Sequence, residues 1–187
     1  MRSLMIAAAL LALAACQKPV QQTTANETAS APEASGIKGV HRDHKGKPAP
    51  DTQFNDPDGQ PTSLAEVAGK PVLVNLWATW CGPCVKELPT LDRLSKSPGA
   101  PHILAISQDM GPHASVVAFL ESRKIGGLEA YQDPKMSLSG ALGAEVLPTS
   151  ILYNAQGREV WRYVGDLDWT SPEAARLLAE AGGPAKG

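Results

Sequence analysis

Cysteine is scarce in this chain: there are three in 187 residues, at Cys16, Cys81 and Cys84. No second close pair exists to complete a four-ligand zinc site with Cys81 and Cys84. No further cysteine is left for a structural disulfide. A chain of this size can build an adequate core without one, so its one close pair is functional rather than a staple. Basic excess is also lacking. Seventeen Lys and Arg against nineteen Asp and Glu leave a net charge of −2, which argues against nucleic acid as a partner. The sequence has no internal repeat, no G-x-G-x-x-G string and no P-loop string. The acidic turn Asp56-Pro57-Asp58-Gly59 lacks the spacing of an EF-hand calcium loop.

Long apolar runs are missing as well. Residues 4–13 are apolar but too few to span a bilayer. With Arg2 before them and Leu13-Ala14-Ala15-Cys16 after them, residues 1–15 read as a signal peptide. The junction resembles a bacterial lipobox, which implies cleavage before Cys16 and lipidation of its thiol. Several acyl chains would then hold the protein at a membrane, on the extracytoplasmic (periplasmic) side. Gln17 stands where aspartate retains many lipoproteins at the inner membrane, which favours the outer one. Residues 16–50 are polar and read as a lipidated, flexible tether. His41 and His44 within it read as solvated side chains rather than metal ligands, and no metal site is expected. Residues 51–187 remain as one folded domain.

Within that domain the patterns alternate. Asp56 to Gly59 is turn chemistry between two short extended pieces. Ser63-Leu64-Ala65-Glu66 reads as a capping box opening a short helix that Gly69 ends. Val72–Trp77 reads as a buried strand and residues 85–97 as a helix. A second buried strand follows at 101–106. A helix over 113–123 turns Val116, Val117 and Leu120 inward, with Gly126-Gly127 closing it. A short strand is expected at 128–131 and a helix at 134–142. Thr149–Tyr153 and residues 158–164 read as a hairpin about Asn154-Ala155-Gln156-Gly157. Thr170-Ser171-Pro172-Glu173 caps a last helix running to about residue 181. The order predicts an α/β fold with a central mixed sheet flanked by helices, parallel first and antiparallel later.

The chain is organised around Trp77-Ala78-Thr79-Trp80-Cys81-Gly82-Pro83-Cys84, where the buried strand gives way to the helix. The first turn of a helix offers unpaired N–H groups and the positive end of the backbone dipole, and both stabilise an anion. Cys81 is therefore suited to being a thiolate, the reactive form. Cys84 lies within one turn and can close a disulfide with it.

This string resembles the active site of the thioredoxin superfamily. With Glu87, Leu88 and Pro89 following, it is similar to the membrane-anchored TlpA/ResA-type thiol–disulfide reductases. Val146-Leu147-Pro148-Thr149-Ser150 resembles that family's cis-proline loop, and the resemblance spans roughly residues 50–182. It implies a thioredoxin fold with an N-terminal hairpin and an inserted strand–helix unit near 113–142. It implies a Cys81 nucleophile, a resolving Cys84 and Glu87 as proton exchanger, since Asn75 stands where thioredoxins carry a buried aspartate. Spacing supports Glu87 independently, because it lies one turn from Cys84 on the same helix face. A partly buried carboxyl there would titrate near neutrality. Trp80, Leu147 and Pro148 are expected to contact substrate, with the Leu147–Pro148 bond cis. Trp77 is expected in the core. Asp166, Asp168 and Trp169 are assigned only capping and packing.

The implied activity is reduction of protein disulfides, with no cofactor beyond the Cys81–Cys84 disulfide. The implied partners are disulfide-bearing clients, such as apocytochrome c or proteins with metal-site cysteines, and a membrane electron donor of DsbD or CcdA type. The protein is expected to act as a monomer. The alternative is a copper chaperone that uses the reduced pair as soft ligands. A peroxiredoxin-like peroxidase is discounted because the Pro-x-x-x-Thr-x-x-Cys pattern is absent.

Overall fold

The computed structural model describes residues 38–182, and the signal peptide, Cys16 and most of the expected tether lie outside them. β4 (Val72–Trp77) is the central strand, and all six of its residues are buried. It pairs in parallel with β5 (His102–Ser107) and antiparallel with β7 (Thr149–Tyr153). β8 (Glu159–Val164) follows β7 through the Asn154–Gly157 turn. β6 (Tyr131–Gln132) pairs with β5, and the hairpin of β2 (Phe54–Asn55) and β3 (Pro61–Thr62) closes that edge. β1 (Gly39–His41) forms the other edge, so the eight-stranded order is β1-β8-β7-β4-β5-β6-β2-β3.

Successive side chains of a strand face opposite ways, and β4 uses both faces. Leu73 and Trp77 join a cluster with Leu88 and Leu91 of α1 (Gly82–Ser95), Val116 and Leu120 of α2 (His113–Ser122), and Ala174 and Leu177 of α4 (Pro172–Ala179). Val72, Val74 and Leu76 join a second cluster with Leu104, Ile106 and Ile151, covered by Leu138 and Leu142 of α3 (Ser137–Leu142). Each such fully buried aliphatic side chain contributes about 1.5–3 kcal/mol. Asn75 falls between Leu73 and Trp77 in the period and so faces α1. The expected α/β fold and mixed sheet are present.

Several local expectations change. Gly39–His41 pairs with β8 and Val40 packs on the core, so the chain is ordered well before residue 51. Gly46, Ala49 and Glu159 N–H groups stitch residues 46–49 to 157–159. The partners of this segment lie more than a hundred residues away, where its own polar composition could not reveal them. The Ser63 capping box does not form. Leu64–Val67 is a 3-10 turn without a side-chain cap, and Glu66 instead accepts from Thr62 Oγ1 at 3.1 Å. α2 is closed by Lys124, in the left-handed region at φ 57°, rather than by Gly126-Gly127. Gly127 serves a close approach instead. Its N–H reaches Asp92 Oδ1 on α1, and a Cβ there would collide with Ser95 and Lys96. β6 lies at the very end of the segment expected as a strand. α3 starts later than expected because Asp133 is its cap: its carboxylate accepts from Ser137, Leu138 and Ser139 N–H groups at 2.9–3.3 Å. α4 is capped by Ser171 Oγ, which accepts from Ala174 N at 3.1 Å, rather than by Thr170.

Replacing the buried Asp133 with Ala strips those donors of their acceptor. We expect Asp133→Ala to lose about 2 kcal/mol of stability in urea unfolding. An unchanged midpoint would show that water substitutes for the cap.

Candidate active site

The strand-to-helix junction builds the site. Cys81 is the N-cap of α1, with extended backbone at φ −88° and ψ 101°, and its Sγ accepts from Cys84 N at 3.3 Å. Pro83 stands in the first turn, where its missing N–H costs nothing. The two sulfurs are bonded at 2.03 Å, with Cα atoms 5.2 Å apart. Cys81 retains 7% of its surface while Cys84 retains none. The cysteine seated at the positive helix end is thus also the one of the pair with surface left to solvent. α1 continues through Pro89, which is exposed.

The Leu147–Pro148 bond is cis. Thr149 Oγ1 ties this turn by donating to Val146 O at 2.7 Å, and Gly165 N donates to Pro148 O at 2.8 Å. Leu147 packs on the cluster that contains both cysteines. Trp80 is 68% exposed, whereas Trp77 is fully buried. The Trp80 loop is held by Asp109, whose carboxylate accepts from Thr79 N at 2.9 Å and Thr79 Oγ1 at 2.7 Å.

Glu87 is buried beneath this surface, with 3% exposure. Oε1 accepts from Asn75 Nδ2 at 2.7 Å, and Oε2 accepts from Leu167 N at 3.0 Å and Trp169 Nε1 at 3.3 Å. Burial pushes its carboxyl from 4.5 up to about 7, against the pull of these three donors, and the nearby Asp166 carboxylate adds to the rise. Asp166 is itself held low by Lys38 and Lys86, at 2.6 and 3.4 Å. Its hydrogen bonds go to none of the sulfurs, but Glu87 stands one helical turn from Cys84 on the buried side.

Every candidate residue within the described range except Trp80 is thus partly or wholly buried around one junction, and Cys16 lies outside that range. What the sequence did not disclose is the environment of Glu87. Trp169 and the Leu167 amide are its donors, beyond the capping and packing assigned to that loop. Asn75 is a working hydrogen-bond partner and also binds Ser150 Oγ at 2.9 Å. The only sequence signal was an amide in the middle of an apolar strand.

Comparison with known proteins gives a consistent result. The family model described as Redoxin matches residues 44–178. Thiol-disulfide oxidoreductase ResA of Bacillus thuringiensis (strain Al Hakam) is 33% identical over 124 residues, covering 65% of this chain and 70% of that protein. A solved structure from Chlorobium tepidum, assigned as thiol:disulfide interchange protein DsbE, superposes with a TM-score of 0.62 at 24% identity, covering 74% of this chain and 98% of that one. The pneumococcal exposed lipoprotein thioredoxin Etrx1 from Streptococcus pneumoniae strain TIGR4 superposes with a TM-score of 0.58 at 22% identity, covering 68% and 98%. These two structures share the fold.

The unfolded carboxyl titrates near 4.5 and the folded one near 7, so the folded state holds this proton more tightly. Stability is fully present below about 4.5 and is lost as pH rises through about 7. Glu87→Gln keeps the shape without the titration, and the Asn75 amide can turn its oxygen, unpartnered here, toward the new amide. Urea unfolding of the oxidised protein from pH 4 to 8.5 should show the parent losing about 3 kcal/mol relative to Glu87→Gln. Parallel pH curves would mean that folding leaves this carboxyl titrating where it does in the unfolded chain.

Proposed function

The chain belongs to the Redoxin family, as a ResA/TlpA-type member of the thioredoxin superfamily and a thiol–disulfide oxidoreductase, and from that premise we propose that it reduces disulfides of client proteins outside the cytoplasm. The observation that carries this reading is the unequal burial of a bonded cysteine pair at a helix start. In the reduced protein the Cys81 thiolate attacks a client disulfide. One client sulfur leaves and takes a proton, and a mixed disulfide joins Cys81 to the other. Cys84 passes its proton to ionised Glu87 and attacks Cys81 Sγ. The Cys81–Cys84 bond closes, and the second client sulfur leaves and is protonated. Two electrons pass from the dithiol to the client.

A carboxyl titrating near 7 suits this exchange, since it both accepts and returns a proton at ordinary pH. Trp80 and the Leu147–Pro148 turn flank the reacting sulfur and serve as the client contact. The lipobox-like Leu13-Ala14-Ala15-Cys16 supports a lipid anchor at a bacterial membrane, with Gln17 favouring the outer one. Among the described residues no helix is long and apolar enough to cross a membrane. Re-reduction in an oxidising compartment calls for electrons delivered across the membrane, for which a DsbD- or CcdA-like donor fits, and apocytochrome c or metal-site cysteines fit as clients. The copper-chaperone alternative would use the same two sulfurs, reduced, as soft ligands.

Equilibration with defined thiol buffers should give a midpoint near that of thioredoxin, about −270 mV, rather than the value of DsbA, about −120 mV. In the same preparation Cys81 should alkylate faster at pH 6 than a free cysteine peptide, and Cys84→Ser should trap mixed disulfides that Cys81→Ser does not. A midpoint near that of DsbA would reverse the direction assigned here.

A further inference from the structure

β4, β5 and β6 run parallel and adjacent, so their carboxyl ends meet at one edge of the sheet. β7 is antiparallel to β4 and begins there, with Thr149 opposite Leu76. The loop at each of these strand ends carries one large apolar side chain in the open: Val146 before β7, Trp80 after β4, Met110 after β5 and Met136 after β6. They are 39%, 68%, 79% and 42% exposed, and they are the large apolar side chains found exposed among the described residues. At about 4.8 Å between strands, four neighbouring strands spread them over a row of about 14 Å. Cys81 follows Trp80 within it.

The loops bearing this row are braced. The Asp109 carboxylate accepts from Thr79 and also from Ser107 Oγ at 2.7 Å. Gln132 Nε2 donates to Asp109 O at 2.7 Å and Gly111 O at 2.9 Å, one on each side of Met110. Asp133 N donates to Ser107 O at 2.7 Å, and its carboxylate caps the helix that Met136 leads into at φ 53°. The apolar side chains are thus held out in water by hydrogen-bonded loops. Exposed apolar surface gathered in one place marks a contact site. Methionine adapts its shape to varied partners.

We propose that Met110 and Met136 extend the client-docking surface to the side of Cys81 away from Pro148, and that the row selects an extended polypeptide segment with apolar side chains on both sides of its disulfide cysteine. The inference rests on the dithiol reading above. Any client disulfide attacked by Cys81 must enter this row. About four extended residues, at 3.3 Å each, match its length.

The test uses the reduced full chain in single turnover with two peptides, each closed by one disulfide. One has Leu and Phe beside its cysteines and the other has Ser and Gly. The parent should favour the apolar peptide by about tenfold in rate per unit concentration, and Met110→Gln with Met136→Gln should bring that ratio to about twofold or less. Met110→Gln alone, with a thermal melt to confirm folding, should give an intermediate ratio. Equal rates in the parent, or an undiminished ratio in the double variant, would overturn the proposal. So would a dimer in sedimentation that the double variant abolishes, since the row would then belong to a second copy. A parent that reduces neither peptide, nor a small aromatic disulfide, would instead remove the dithiol reading and this inference with it.

Discussion

A sulfur at the N-cap of a helix is the constraint on which the rest of the structure depends. The Cys84 N–H points at Cys81 Sγ because β4 ends and α1 begins within a few residues. Burial of every β4 residue between two apolar clusters fixes where that strand ends. Pairing with β5 and β7 on either side fixes its direction. The cysteine pair thus sits at the tip of a fully buried strand, while Trp80 and the Leu147–Pro148 turn lie on loops.

Glu87 shows what the same core gives up to hold a carboxyl. An ionised carboxylate in an apolar setting is costly, and three donors offset only part of that cost. The donors come from β4, from the segment before α4 and from an indole, so one side chain ties together parts of the chain some eighty residues apart. The Gly165–Trp169 segment also meets the cis-proline carbonyl through Gly165 N, and Lys38 beside β1 through Asp166. Glu87 and the Leu147–Pro148 turn therefore share a support, and Lys38, just before β1, is part of it.

The elements whose signal is local were legible in the chain. β4 and β7 were readable to the residue because unbroken apolar runs bounded by turns admit little else. The Asn154–Gly157 and Asp56–Gly59 turns follow from residue chemistry alone, whereas α1 starts at Gly82, three residues before its apolar period sets in. The start of α3 and the end of α2 were misplaced, because an aspartate about one turn upstream and a left-handed lysine set them instead of the nearest proline and glycines. β1 was hidden for a different reason. Its stability comes from pairing with β8, and its own composition is that of a linker.

The cis bond at Pro148 was implied by the family resemblance, whereas the residues themselves determined the close cysteine pair, its position at a helix entrance and the helix face that carries Glu87. Each of these is set by residues within a turn or two, or by the period of the helix that carries them. Only the tertiary structure decided what surrounds Glu87, how far its carboxyl is pushed up, and that the loops carrying Trp80, Met110, Met136 and Val146 leave neighbouring strands at one end of the sheet. Those facts depend on which strands become neighbours in the sheet, and strand order is a property of long-range packing that no local window contains.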